Sequence, residues 1–383
     1  MAKTGIRITT SDTVLGKPID VNTTSMIIAA TGNHSLVKGT SVGAFKEYGY
    51  EMLAERYYNP APNVSLEGSL LWFAGVPNGF TAADIVSKVR ETVAESFDER
   101  PRQIIVVTAS EDVSMDDYVE RSAITHLQSA LTELQNEGIR CVAILATFES
   151  YDEVTDCSTY ESPFVAFCPM GDSNDLDADD ASVGSTYGSI RVLGLLSSLS
   201  VGTSIGDGGL ASLTEPHLYM TTTGSGVIGI DVRTMPRDRV EELGEAQQLF
   251  TRTRPPRNGL WWNDGATCND PANALSTLEM ARTICAMADD LQSFFVPYIN
   301  TRVPVTSTGD IQSAYKQVVL DNARAAVVQK YIDNGDISDA RINLVAKDND
   351  MIGTRTWEVT LSILPAPTLR WIDGYVFYVN SLE

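Results

Sequence analysis

The clearest periodicity in the chain lies near its end. Trp357, Val359, Leu361 and Ile363 alternate with Glu358, Thr360 and Ser362, the period-two pattern of a strand with one buried face. Pro365 and Pro367 break that strand. Leu369 to Val379 then resumes as a second extended run, rich in Trp, Tyr, Phe and Val and apolar on both faces. Such a run needs cover on two sides, so it either closes its own domain or inserts into another subunit.

The rest of the chain alternates between strand and helix patterns. Met26 to Ala30 reads as a short buried strand, and Ser41 as the cap of a helix carrying Phe45, Tyr48, Met52 and Leu53. Leu70 to Phe73 is the next strand. Thr81 and Asp84 have capping-box spacing ahead of a helix with Ile85, Val89 and Val93 on one face. Strands at Ile104 to Thr108, Cys141 to Thr147 and Phe164 to Cys168 flank a helix striped by Val119, Ala123, Leu127, Ala130 and Leu134. This succession predicts a mostly parallel sheet covered by helices. A helix is expected over about Ala181 to Leu199, and a bent strand pair over Leu218 to Val232. A short helix follows, from Pro236 through Gln248. In the final third, Leu260 to Trp262 reads as a strand. Asp270 and Pro271 read as the N-cap and first residue of a helix from Ala272 to Val296. A second long helix is expected from Asp310 to Ile332, closed by Asn334-Gly335, followed by a strand at Arg341 to Ala346.

Composition narrows the function. The 383 residues exceed what one core usually supports, so two α/β domains or one core with large insertions are expected. Twenty-eight Lys plus Arg against fifty Asp plus Glu give a net charge of −22, which repels a phosphate backbone, so no direct contact with nucleic acid is expected. The N-terminal residues lack the apolar core of a signal peptide, and no apolar run is long enough to span a membrane. The chain is therefore expected to stay in the cytosol or leave it by lysis, without membrane insertion. Five cysteines, Cys141, Cys157, Cys168, Cys268 and Cys285, show neither C-x-x-C nor zinc spacing and read mostly as small core residues.

Several motifs touch on chemistry without completing it. Gly202-Thr203-Ser204-Ile205-Gly206 has the G-x-S-x-G spacing of a nucleophile elbow. The Asp207-Gly208-Gly209 that follows suits no helix, and His217 lies too close for the Ser, acid, His order of that fold. Gly224, Gly226 and Gly229 fit G-x-G-x-x-G, but Ile230 to Arg233 is strand-like where a dinucleotide site requires a helix. Asp172, Asp175, Asp177, Asp179 and Asp180 could hold a hard cation, yet they miss the EF-hand pattern and read better as a solvated loop capping a helix. His34, His126 and His217 fall in different predicted elements. No catalytic, metal or cofactor site is therefore assigned, and no cofactor is expected.

Taken together, these segments resemble the contractile tail sheath proteins of bacteriophages and related contractile injection systems. One stretch that carries the resemblance is Met26 to Ala30 with Thr31-Gly32, Ser41, Phe45 and Gly49. A second runs from Leu249-Phe250 through Asn258-Gly259-Leu260-Trp261-Trp262-Asn263-Asp264 into the long helix. The third is the C-terminal series of helix, two strands and Pro365-Ala366-Pro367. The resemblance runs loosely to about residue 110 and more closely from about residue 244 onward.

It implies an α/β fold of mixed sheets flanked by helices, a sheath-type core with extended N- and C-terminal arms that donate strands. In those terms residues 1–22 form an N-terminal arm and 23–235 an α/β domain, with 152–235 a possible insertion. Residues 236–364 form a C-terminal core domain and 365–383 a C-terminal arm. The arm residues expected to touch other subunits are Ile6, Ile8, Val14 and Leu15 at one end. At the other they are Leu369, Trp371, Ile372, Tyr375, Val376, Phe377, Tyr378 and Val379. The implied function is structural, not enzymatic: a subunit that polymerises into stacked hexameric rings around an inner tail tube protein and contracts. Baseplate and tail terminator proteins would be its further partners, in a tail or injection particle assembled in the bacterial cytoplasm. Two other readings stand beside this one. The chain could be another tail component, such as a baseplate or terminator subunit. It could also be an α/β enzyme using Asp112 and Asp116 beyond the strand that ends near Thr108.

Overall fold

The structure is a computed structural model. It describes residues 24–30, 34–62, 64–77, 79–107, 120–150, 154–172, 186–207, 213, 217–223, 226–254 and 257–366. The first strand, β1 (Ser25–Ala29), is followed by the short β2 (Val37–Gly39), α1 (Glu51–Tyr58), β3 (Leu71–Gly75), α2 (Ala82–Glu95), β4 (Gln103–Val107), α3 (Glu120–Asn136) and β5 (Val142–Ala146). Then come β6 (Glu149–Ser150), β7 (Val165–Phe167), β8 (Met170–Asp172), α4 (Ile190–Ser198), β9 (His217–Thr223), β10 (Gly226–Asp231) and α5 (Arg237–Glu245). The C-terminal part holds β11 (Thr251–Arg254), β12 (Arg257–Trp262), α6 (Leu278–Phe295), α7 (Ser313–Ala323), α8 (Gln329–Asp333), β13 (Ile337–Ala346), α9 (Met351–Thr354) and β14 (Trp357–Pro365).

Six strands form the central sheet in the order β2-β3-β1-β4-β5-β7. All are parallel except β2, which runs antiparallel to β3. Residues of β1, β3, β4 and β5 are buried throughout, the signature of a parallel sheet covered on both faces. The pleat sorts them into two layers. Ile27, Phe73, Ile105 and Ile144 face α1 and α4, while Met26, Trp72, Ile104 and Ala143 face α2 and α3. The parallel strands thus follow a doubly wound order, with β1 and β4 on either side of the topological switch point. Four more strands, β6, β8, β9 and β10, make a second sheet, in which β9 and β10 form the antiparallel pair expected from the glycine-broken stretch.

Three expectations change in detail. The helix expected after Ser41 is a 3-10 turn over Val42–Tyr48 followed by α1, divided at Gly49, whose φ of 77° belongs to the left-handed region. Phe45 and Leu53 are buried as the periodicity implied, whereas Tyr48 and Met52 face solvent. The long helix α6 begins at Leu278 rather than Ala272. Asp270 Oδ1 accepts the Ala272 N–H at 2.8 Å and Asn273 Oδ1 the Leu275 N–H at 3.0 Å, so two side-chain turns outcompete helix at 270–276. The second long helix carries a five-residue π-helical segment, Arg324–Val328, between α7 and α8. The wider turn lets the consecutive residues Val327 and Val328 both be buried alongside Ala323 and Tyr331.

Candidate assembly surface at the C-terminal hairpin

Helix α6 connects the central sheet to the C-terminal hairpin. Its 18 residues span about 27 Å at 1.5 Å per residue. Leu278 and Ala281 pack into the central core, Ala286 and Met287 against Val328, Tyr331 and Ile337, and Phe294 and Phe295 lie beside the core under the hairpin.

Two adjacent acids hold these parts together. Asp289 is buried and meets three guanidiniums: Arg100 at 2.9 Å, Arg140 at 2.8 Å, and Arg102. These arginines come from segments next to the N-terminal ends of β4 and β5. Burial pushes Arg100 and Arg102 down to about 10, although both stay protonated at neutral pH. Asp290 turns the other way and takes Lys330 Nζ at 2.5 Å and the Tyr331 hydroxyl at 2.5 Å. Arg282 donates to the carbonyls of Leu196 at 2.7 Å and Leu199 at 3.0 Å, adding α4 to the tie. Sequence motifs miss this cluster because its members are scattered. The available signal was an acid at position 289, one helical turn beyond the buried Cys285 on an otherwise apolar stripe.

The hairpin is a two-stranded antiparallel sheet, Ala346 opposite Trp357 and Ala340 opposite Ile363. Along β14 half-buried and exposed residues alternate strictly, as the sequence pattern predicts. Trp357, Val359, Leu361 and Ile363 pack toward the helices, and Glu358, Thr360 and Ser362 face solvent. Trp357 sits among Phe295 at 6.1 Å, Tyr298 at 5.6 Å and Tyr315 at 6.4 Å between ring centroids. Beside β14 lies a groove of about 1090 Å³ between the end of α6, residues 296–305 and residues 351–361. Its lining is mostly apolar, and among the described residues that line it Arg140 and Arg355 are the charged ones.

The central sheet offers no comparable edge. On β7, the Cys268 N–H donates to the Val165 carbonyl at 2.7 Å and the Leu249 N–H to the Phe167 carbonyl at 2.8 Å. On the other side β2 is only three residues long and carries Lys38.

The glycines of the 202–206 stretch serve packing. Gly202 donates its N–H to Asp336 Oδ1 at 3.1 Å, and a Cβ there would lie 2.6 Å from the Asp336 Cα. A Cβ on Gly206 would collide with the Asn263 carbonyl, and Ser204 Oγ accepts the Gly206 N–H at 3.2 Å. Gly226 to Asp231 is a strand, so no helix N-terminus stands there for a pyrophosphate. His34 lies beside Tyr50, His126 Nδ1 lies 3.2 Å from the Phe80 carbonyl, and His217 belongs to β9. All five cysteines are buried and outside disulfides, and burial pushes Cys141, Cys168 and Cys285 up to about 12, away from thiolate chemistry. Among the described residues no group of three or more His, Cys, Asp or Glu is placed to hold a metal ion. Nor is any helix among them long and apolar enough to cross a membrane.

Asp112, Asp116, Asp175, Asp177, Asp179 and Asp180 lie outside the described residues. So do all the arm positions: Ile6, Ile8, Val14, Leu15, Leu369, Trp371, Ile372, Tyr375, Val376, Phe377, Tyr378 and Val379.

No family model and no curated protein matches the sequence. Solved structures do match. A chain of the anti-feeding prophage baseplate, 6-fold symmetrised, superposes with a TM-score of 0.60 at 9% identity, covering 99% of this chain and 99% of that one. A chain of the same baseplate in its contracted state gives 0.54 at 11% identity, with 98% of each chain covered. The sheath tail protein Lin1278 from Listeria innocua gives 0.53 at 10% identity, covering 90% of this chain and 92% of that one. The chain, the central sheet together with the hairpin unit, therefore shares the mixed α/β fold of these baseplate and sheath tail protein chains.

Proposed function

We propose that this chain is a structural subunit of a contractile tail sheath, which polymerises around an inner tail tube by exchanging β-strands between copies and contracts to drive that tube into a target cell. The observation that carries this reading is the C-terminal hairpin, an antiparallel pair of ten-residue and nine-residue strands that forms a sheet of its own beside an apolar groove. Long strands with open edges are templates for further strands, and soluble proteins normally protect them. Added strands would come from the arms, residues 1–22 and 365–383, of other copies. Backbone hydrogen bonds supply the affinity in that mode and side-chain pockets the register. A head-to-tail contact of this kind need not close, so it builds a tube. The inner tube protein, the baseplate and a tail terminator are the other partners in this scheme. The likeness to two baseplate chains supports a second reading, a baseplate subunit that forms one closed ring. Electron microscopy of the purified chain separates them, since long hollow tubes support the sheath and closed rings the baseplate. Removal of Thr368 to Glu383 should leave a soluble, folded monomer that makes no tubes. Tubes formed by the truncated chain would refute strand exchange through that arm.

A further inference from the structure

The cluster at Asp289 holds more positive charge than it neutralises. Arg100, Arg102 and Arg140 share one carboxylate, and the adjacent Asp290 is taken by Lys330 and Tyr331. Asp98 offsets part of the excess, at Arg100. Arg140 is the member of the cluster that lines the groove beside β14. Its Nη1 donates to Asp289 Oδ1 at 2.8 Å and to Gln292 Oε1 at 2.7 Å, which fixes the guanidinium. Its Nε and Nη2 have no hydrogen-bond partner among the described residues. Those two atoms form the side of a guanidinium that takes both oxygens of a carboxylate through parallel N–H donors. The Arg140 side chain is 23% exposed, so this fork is reachable, yet an ion pair there is screened less than one at the surface.

The rest of the groove suits an apolar chain attached to such an anion. Its volume of about 1090 Å³ lies near the upper end of small-molecule pockets, about 300–1,000 Å³. Leu291 and Phe295 of α6, Met351 of α9 and Val359 of β14 give it apolar walls. Ile299 and Ile352, also lining it, are 59% and 65% exposed, large apolar side chains left in water. Among the described lining residues there is no Asp or Glu, in a chain that carries fifty. A cleft lined by one sign of charge focuses its field on small ions of the other sign. An anionic bilayer, by contrast, meets the whole net charge of −22 and is repelled.

We propose that this groove binds a free single-chain aliphatic carboxylate, with its head on the Nε–Nη2 side of Arg140 and its chain along the apolar wall formed by α6 and β14. The site does not depend on whether copies exchange strands. Arg140 is the anchor because Asp289 and Gln292 already hold its guanidinium in place, so little side-chain freedom is lost on binding. The bound carboxylate gives the three guanidiniums a second anion. Arg355 is the exposed charge of the groove and serves the approach of the anion rather than its seat.

Calorimetric titration of the full chain with hexanoate, octanoate and decanoate, each below its micelle concentration, tests this site. Affinity should rise about fourfold per added methylene, the value for burying one CH₂, and acetate should not bind. Octylammonium, a chain of similar length with the opposite charge, should bind at least about tenfold more weakly than octanoate. Equal affinity for the two heads, or affinity independent of chain length, would overturn the site. So would failure of all three carboxylates to bind, since the groove would then be filled in the intact chain. Arg140→Gln should weaken decanoate at least about tenfold and leave the neutral octanol unchanged, whereas Arg355→Gln should weaken decanoate less than about threefold. Decanoate binding undiminished in Arg140→Gln, octanol lost along with it, or a larger loss in Arg355→Gln would each overturn the placement of the head. Vesicles of phosphatidylglycerol should not sediment with the chain, and cosedimentation would reject the free carboxylate in favour of a membrane lipid.

Discussion

At the scale of single residues, the Asp289 cluster has an unusual sign. Three guanidiniums share one carboxylate, so the acid and the bases should respond in opposite ways to neutralisation. Asp289→Asn leaves three desolvated cations facing one another and should cost about 3 kcal/mol in urea unfolding, in the range for breaking a buried pair from one side. Arg140→Gln removes the most exposed of the three cations, and Arg100 already opposes the Arg140 charge. It should change stability by less than about 1 kcal/mol. Equal losses from both substitutions would show that the cluster behaves as independent ion pairs. None of this was legible from sequence motifs, because residues 100, 102, 140 and 289 meet only once the sheet and α6 are in place.

At the scale of elements, the sequence was most informative where one period persisted. The alternation along β14 and the buried runs of β1, β4 and β5 were readable because each strand sees a single environment along its length. Helix α6 began late because Asp270 and Asn273 can either cap a helix or bind their own turns, and local spacing does not distinguish the two. The π-helical segment was invisible because two adjacent buried valines break any helical period. The stretch Gly202 to Gly206 shows how a motif can be real and its chemistry absent. Both glycines serve close backbone approach, to Asp336 and to Asn263. Gly206→Ala should therefore destabilise the fold by about 1–3 kcal/mol through overpacking. Ser204→Ala, which loses one hydrogen bond to the Gly206 N–H, should cost about 1 kcal/mol. Thermal melts of the two variants check this order, and a reversal would mean that the serine, not the glycines, organises the turn.

At the scale of the whole molecule, charge and fold pull in opposite directions. The net charge of −22 opposes bringing copies together, yet the hairpin offers a long open edge beside a groove whose charged lining residues are arginines. General repulsion acts over a Debye length, about 10 Å at 0.1 M salt and about 3 Å at 1 M. The backbone hydrogen bonds and apolar contacts of an added strand act at contact and are barely screened. For the assembly proposed above, salt should therefore remove the opposing term while leaving the attractive one in place, so polymer mass at a fixed subunit concentration should rise between about 0.05 and 0.5 M sodium chloride. Sedimentation or light scattering across that range measures the effect directly. Polymer that dissolves as salt rises would mean that ion pairs, rather than strand addition, hold the copies together. It would move the interface away from the hairpin, because an antiparallel strand pair has no reason to weaken when distant charges are screened.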